Sequence, residues 1–154
     1  MRRLTVLLAL AAAITACGSE EAATPAACRG TADDYLEALT AAPGEVRLEG
    51  GTRISACLVP GQEPGTLSAI GTATVDAATS LNAKVRRDPA GEATVQLGYL
   101  VGAVQEGAST SGGIHADLVR RLDSAARANP GDEPFSAAFE RAFGEGYAAG
   151  QDHG

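Results

Sequence analysis

The feature that most constrains this chain is the return of a side chain fit for burial every three or four residues between Leu67 and Val85. Leu67, Ile70, Thr74, Ala78, Leu81 and Val85 share one face of a helix with 3.6 residues per turn, whereas a strand, with its period of two, would scatter them over both faces. Thr66 is expected to cap that helix, and Asp88 with Pro89 to stop it. Lys84, Arg86 and Arg87 fall in its last turn, where cations suit the negative end of the helix dipole.

The same period recurs along the chain. Thr31 and Asp34 offer an N-cap arrangement ahead of Ala32, Tyr35, Leu36 and Leu39, which form one face until Pro43 and Gly44 break it. From Glu92 to Ala108, Leu97, Leu100, Val101, Val104 and Ala108 fall on one side. From Gly113 to Ala128, Ile114, Leu118, Leu122, Ala125 and Ala126 stay in register until Asn129, Pro130 and Gly131. Pro134 is expected to open a further helix carrying Phe135, Phe139, Phe143 and Tyr147 four residues apart. An amphipathic helix buries such a row in a core, with a ligand-stacking surface as the alternative. The stretch between the first two helices keeps a different rhythm: Val46 and Leu48 alternate before Gly50 and Gly51, and Ile54, Ala56 and Leu58 after them. A short β-hairpin over 46–58 is expected, against a loop with a helical turn.

The fold expected is therefore mainly α: a single-domain bundle of four or five helices, with short connections favouring antiparallel neighbours. The sequence holds no Trp, three Phe and three Tyr, so Leu, Val, Ile and Ala must build its core and helices can approach closely. Gly98 and Gly102 in LGYLVGA form a GxxxG. In a membrane span this spacing would suggest helix dimerisation, but Gln105 and Glu106 follow at once, and a close crossing inside the bundle is expected instead.

The chain begins with Arg2 and Arg3, an apolar run from Leu4 to Ile14, and then Ile14, Thr15, Ala16 and Cys17. A basic start before a short apolar run is a signal-peptide layout. As a helix the run would span about 16 Å against roughly 30 Å of bilayer hydrocarbon, too little for a transmembrane anchor. The tetrapeptide resembles the lipobox of bacterial lipoprotein precursors, an aliphatic residue and two small ones ahead of a cysteine. The resemblance implies that Cys17 receives a diacylglyceryl group and fatty acyl chains such as palmitate, that cleavage before it makes it the first mature residue, and that the protein sits lipid-anchored on the extracytoplasmic face of the cell membrane. One lysine beside eleven arginines suggests a GC-rich genome of the actinobacterial type. On this reading residues 1–16 are signal peptide, 17–27 a lipidated Cys with a flexible linker, 28–150 the helical domain and 151–154 a disordered tail, frayed from Gly150 on.

Three cysteines are present; with Cys17 acylated, Cys28 and Cys57 remain as a pair in an oxidising compartment, where they are expected to bond. Buried free thiols are the alternative. The precursor holds 12 basic and 19 acidic residues; losing Arg2 and Arg3 leaves 10 against 19, a net −9. Such a balance disfavours phosphate backbones, so nucleic acid is not an expected partner.

Few residues suggest chemistry. Ser111, His115 and Asp117 cluster after the glycine-rich Gly107–Gly113 stretch, where backbone amides at a helix start could hold an anion beside His115 as acid or base. A capping Ser111 with a structural His115 is the competing reading. The stretch departs from a phosphate-binding loop, since Gly113 stands where lysine is required, and from a nucleophile elbow, since Ser111 stands where glycine is required. Asp117 with Arg121 and Asp123 with Arg127 have the spacing of solvated ion pairs. Asp33 and Asp34 suit a helix first turn better than a pair of glycosidase carboxylates. His153, beside Asp152, lies too near the end of the chain to serve as a positioned base. No cofactor, metal site or catalytic residue is expected. The functional expectation is a non-enzymatic binding or interaction module of the cell envelope with a possible envelope protein partner. A small hydrolase or transferase near Gly107–Asp117, and a structural or inhibitory lipoprotein, are the alternatives.

Overall fold

The computed structural model describes residues 23–127 and 136–154. The leader, Cys17, Pro134 and Phe135 lie outside them. The described residues form five α-helices: α1 (Ala32–Leu39), α2 (Pro64–Val85), α3 (Glu92–Ser109), α4 (Ala116–Ala126) and α5 (Ala137–His153), with three short 3-10 turns at Ala26–Arg29, Glu49–Gly51 and Ser55–Cys57.

The third helix is the axis of the molecule. Every residue from Leu97 through Val104 is buried, so α3 is covered all round and not, as its periodicity suggests, on one side. Its two sides meet different neighbours. Gln105 donates to Asp123 Oδ1 (3.2 Å), and Val101 shares a cleft with Ala126, so α4 runs antiparallel to α3. On the other side α5 runs parallel to it, because Val95 and Tyr99 oppose Gly146 while Tyr99 and Ala103 oppose Gly150.

That second contact explains the glycine spacing. A methyl group on Gly98 would land on the Phe143 carbonyl, and one on Gly102 on that of Tyr147; reciprocally, Gly146 lies against the Val95 carbonyl and Gly150 against that of Tyr99. Two glycine pairs four apart thus let two backbones touch, the close internal crossing expected of Gly98 and Gly102. Helix α2 lies parallel to α4, with Gly71 beside Leu118 and Asn82 reaching Ala125 and Arg127. Thr31 closes a reciprocal capping box with Asp34 at the start of α1, and both neighbouring hydrogen bonds hold the Asp34 carboxyl below its usual range.

The structure corrects several boundaries. Pro64 occupies the first turn of α2, so the helix starts before Thr66, with Glu63 in the cap position; proline there gives up only an amide that the first turn leaves unbonded. The fourth helix is shorter than Gly113–Ala128, because Gly112 and Gly113 adopt φ of 66° and 94°, which ends any helical path through them. Over 46–58 no strand forms: one isolated bridge joins Leu48 to Thr52 around the Glu49–Gly51 turn, and a second 3-10 turn follows at Ser55–Cys57. Adjacent glycines at φ 68° and 79° (Gly50, Gly51) turn the chain so tightly that pairing stops after one bridge.

The end of the chain is helical, not disordered. Arg47 Nη1 donates to the His153 carbonyl (2.9 Å), Ser55 Oγ donates to the Gly154 carbonyl, and Gly154 is buried. The linker is likewise partly organised: Thr24 Oγ1 accepts from Gln62 Nε2 (2.8 Å), and Ala26 already belongs to the first 3-10 turn.

Candidate functional site

Two parts of the molecule bring polar groups together: the turn after α3, to which the sequence points, and the clefts between helices. At the turn, Ser111, His115 and Asp117 have three unrelated partners. Ser111 Oγ donates to the Ala108 carbonyl (2.6 Å) and so finishes α3 instead of capping α4. Asp117 is exposed and pairs with Arg120 (2.7 Å), three residues on and not four. Asp123 accepts from Gln105. His115 is fully buried and sits at the N-cap position of α4 without capping it.

The histidine is held by Gln62. One amide nitrogen donates to the Cys57 carbonyl (2.7 Å) and to Thr24 Oγ1. A main-chain carbonyl can only accept, so the other amide atom, Oε1, must be the one facing His115 Nε2 (2.9 Å). His115 therefore carries its proton on Nε2 and donates it, while Nδ1 is buried with no partner. An imidazolium would bury a second N–H with nothing to accept it. Burial accordingly holds the His115 pKa below its ordinary value. The residue is a neutral structural donor, out of reach of any solute while the turn is closed.

The glycines around it serve packing. A methyl group on Gly107 would strike the main chain of Ser55, so this residue lets the 3-10 turn at Ser55–Cys57 lie directly on α3. That turn brings Cys57 to Cys28, and the two form a disulfide closing 29 residues, with both sulfurs buried. The Tyr35 hydroxyl donates to the Cys28 carbonyl (2.8 Å), and burial pushes its pKa up, which keeps it a donor. The Tyr99 hydroxyl accepts from the Val46 amide (3.3 Å). Each buried tyrosine thus spends its polar tip on a loop that has no ladder of its own.

The aromatic row is mainly packing as well. Phe139 and Phe143 stack at 5.7 Å, and Phe143 and Tyr147 at 6.3 Å; Phe139 is buried, and Tyr147 donates to Gln105 Oε1 (2.6 Å). Among the described residues no three of His, Cys, Asp and Glu come together as a metal-binding group.

Two clefts lined by charged side chains differ in how that charge is met. One of about 500 Å3 runs between the Ala26–Arg29 turn, α1 and the 47–49 segment, and mixes Arg29 and Arg47 with Asp34, Glu37 and Glu49; there Arg47 pairs with Glu45 (3.2 Å). The other, about 430 Å3, lies between α2 and α4 and is lined by Thr79, Asn82, Ala83, Arg86, Ser124, Ala125 and Arg127. There the Asn82 amide nitrogen donates to the Ala125 carbonyl (2.7 Å) and the Arg127 carbonyl (3.0 Å), tying down the end of α4. Its Oδ1 has no partner although the residue is only 6% exposed. Periodicity did not single out Asn82, yet it held a signal: an asparagine one turn beyond Ala78 on the buried face of α2 must answer for both its amide atoms.

No family model, curated protein or solved structure matches this chain.

Proposed function

We propose that the chain is a lipid-anchored extracytoplasmic module, held at the membrane surface through Cys17 and working by binding, not catalysis. The observation that carries this reading is the distribution of its three cysteines. Cys28 and Cys57 are consumed by a buried disulfide, of a kind that persists outside reducing compartments. Cys17 is left alone behind a basic and apolar leader.

Other features support it. No helix among the described residues is long and apolar enough to cross a membrane, so attachment would depend on the covalent lipid. Two or more acyl chains give stable anchoring where one is marginal. The exposed Ala23 stands six positions after Cys17, a reach of about 20 Å when extended. Against the hydrolase or transferase alternative stand the burial of His115 and the dispersal of Ser111 and Asp117.

Intact mass spectrometry of the protein isolated from membranes tests the proposal. A mature chain starting at Cys17 with the added mass of a diacylglyceryl group is expected, and Cys17→Ser should abolish both acylation and processing. An unmodified Cys17 thiol in the native protein would refute the anchor.

A further inference from the structure

The geometry points to the cleft between α2 and α4 as a binding site for a small hydroxylated anion, such as a sugar carrying a carboxylate or a phosphate. This rests on reading the chain as a binding module but not on its anchor. The charge comes from Arg86 and Arg127, which line the cleft. Among the described residues neither guanidinium has a hydrogen-bond or ion-pair partner, and no acidic side chain lines the space.

Both arginines stand at helix C-termini, where a cation offsets the dipole. Two helix ends supply about −0.5 each, against +2 from the guanidiniums, which leaves an excess of about +1. That excess stands out on an acidic molecule. Of the ten basic residues from Ala23 onward, Lys84, Arg86, Arg87, Arg120, Arg121 and Arg127 all lie on α4 or at the ends of α2 and α4, with Arg120 paired to Asp117.

The rest of the lining selects among anions. Asn82 has its amide nitrogen committed twice, so its unpartnered Oδ1 calls for a donor. The hydroxyls of Thr79 and Ser124 each give their proton to a main-chain carbonyl of their own helix, Thr79 to Val75 and Ser124 to Arg120, and so also present oxygen lone pairs. A ligand that brings an oxyanion to the arginines and O–H groups to these oxygens satisfies both halves. Among the described residues that line the cleft, an ammonium group would meet two cations and no carboxylate. The volume of about 430 Å3 falls within the range of small-molecule sites.

Calorimetric titration of the purified full chain with glucuronate, glucose 6-phosphate, inorganic phosphate and glucose tests this. Saturable binding of at least one sugar anion is expected, weakened tenfold or more by Arg86→Gln and by Arg127→Gln. Which of the two binds more tightly separates a carboxylate from a phosphate ligand. Phosphate alone and neutral glucose should each bind at least tenfold more weakly than that sugar anion, which reads the donor requirement without disturbing Asn82. Absence of saturable binding, indifference to both arginine variants, or equal affinity for phosphate or for glucose overturns the site. Thermal melting of each variant, expected within a few degrees of the parent, separates lost binding from lost fold. None of these readouts depends on the lipid at Cys17, so failure here and failure of the anchor are distinct.

Discussion

His115 shows how one unpaired atom sets a pH dependence. The folded protein favours the neutral ring, because Nδ1 has no acceptor to receive a second N–H and burial penalises the charge. The unfolded chain titrates near the ordinary histidine value, 6.5. As pH falls through that value, the unfolded state takes up a proton that the folded state refuses, and stability declines until the folded ring is protonated too. Urea midpoints should therefore drop between pH 7 and pH 5 more steeply in the parent than in His115→Gln, whose amide can still donate to Gln62 but does not titrate. Parallel slopes would contradict the account. The sequence drew attention to His115 through its glycine-rich neighbours but could not show that Gln62, 53 residues earlier, would seal it. A histidine in a loop and one buried behind a glutamine look alike in one dimension.

At the scale of elements, the α3 and α5 contact is the sharpest consequence of composition. With so few aromatic residues, the two helices gain contact by bringing their backbones together, and glycine at 98, 102, 146 and 150 makes room. Gly146→Ala would drive a methyl into the Val95 carbonyl, which cannot move without its helix; a loss of about 3 kcal/mol is expected. Gly144, two residues away on the same helix, has open space at its Cβ position. Gly144→Ala should instead stabilise by roughly 0.5–1 kcal/mol, through helix propensity alone. Chemical denaturation of the two variants decides, and similar effects from both would mean that the crossing is looser than described. Helix existence was legible throughout because a period of 3.6 survives in a linear string. Partners and directions were not. The Gly98–Gly102 spacing announced a close crossing, but only its counterpart at Gly146 and Gly150 identifies which helix lies there, and that pair was hidden in a segment valued for its aromatics. The proposed anion cleft was missed for a related reason: Asn82, Arg86 and Arg127 become neighbours only when α2 and α4 lie side by side.

For the whole molecule, the disulfide is one of the attachments that hold a weakly organised segment on the helices. The segment from Val46 to Leu58 has a single bridge and two turns of its own, yet Val46, Leu48, Ile54 and Leu58 are buried. It is held from outside, by Tyr99 at Val46, by α3 against Ser55, by the end of α5 through Arg47 and Ser55, and by Cys28 through Cys57. Cysteine arithmetic made the last of these visible in the sequence. The α5 contacts were not, since they use the main-chain carbonyls of His153 and Gly154, and a carbonyl leaves no mark on residue identity. Closing a loop of 29 residues removes enough freedom from the unfolded chain to stabilise the fold by roughly 3.5 kcal/mol. Cys28→Ala with Cys57→Ala should lose about that much in denaturant unfolding while keeping its helical circular dichroism, because α2 to α5 pack on one another independently of the bridge. In the parent, alkylation without reductant should leave both residues unlabelled, and labelling of both in the native protein would mean that the bridge does not form.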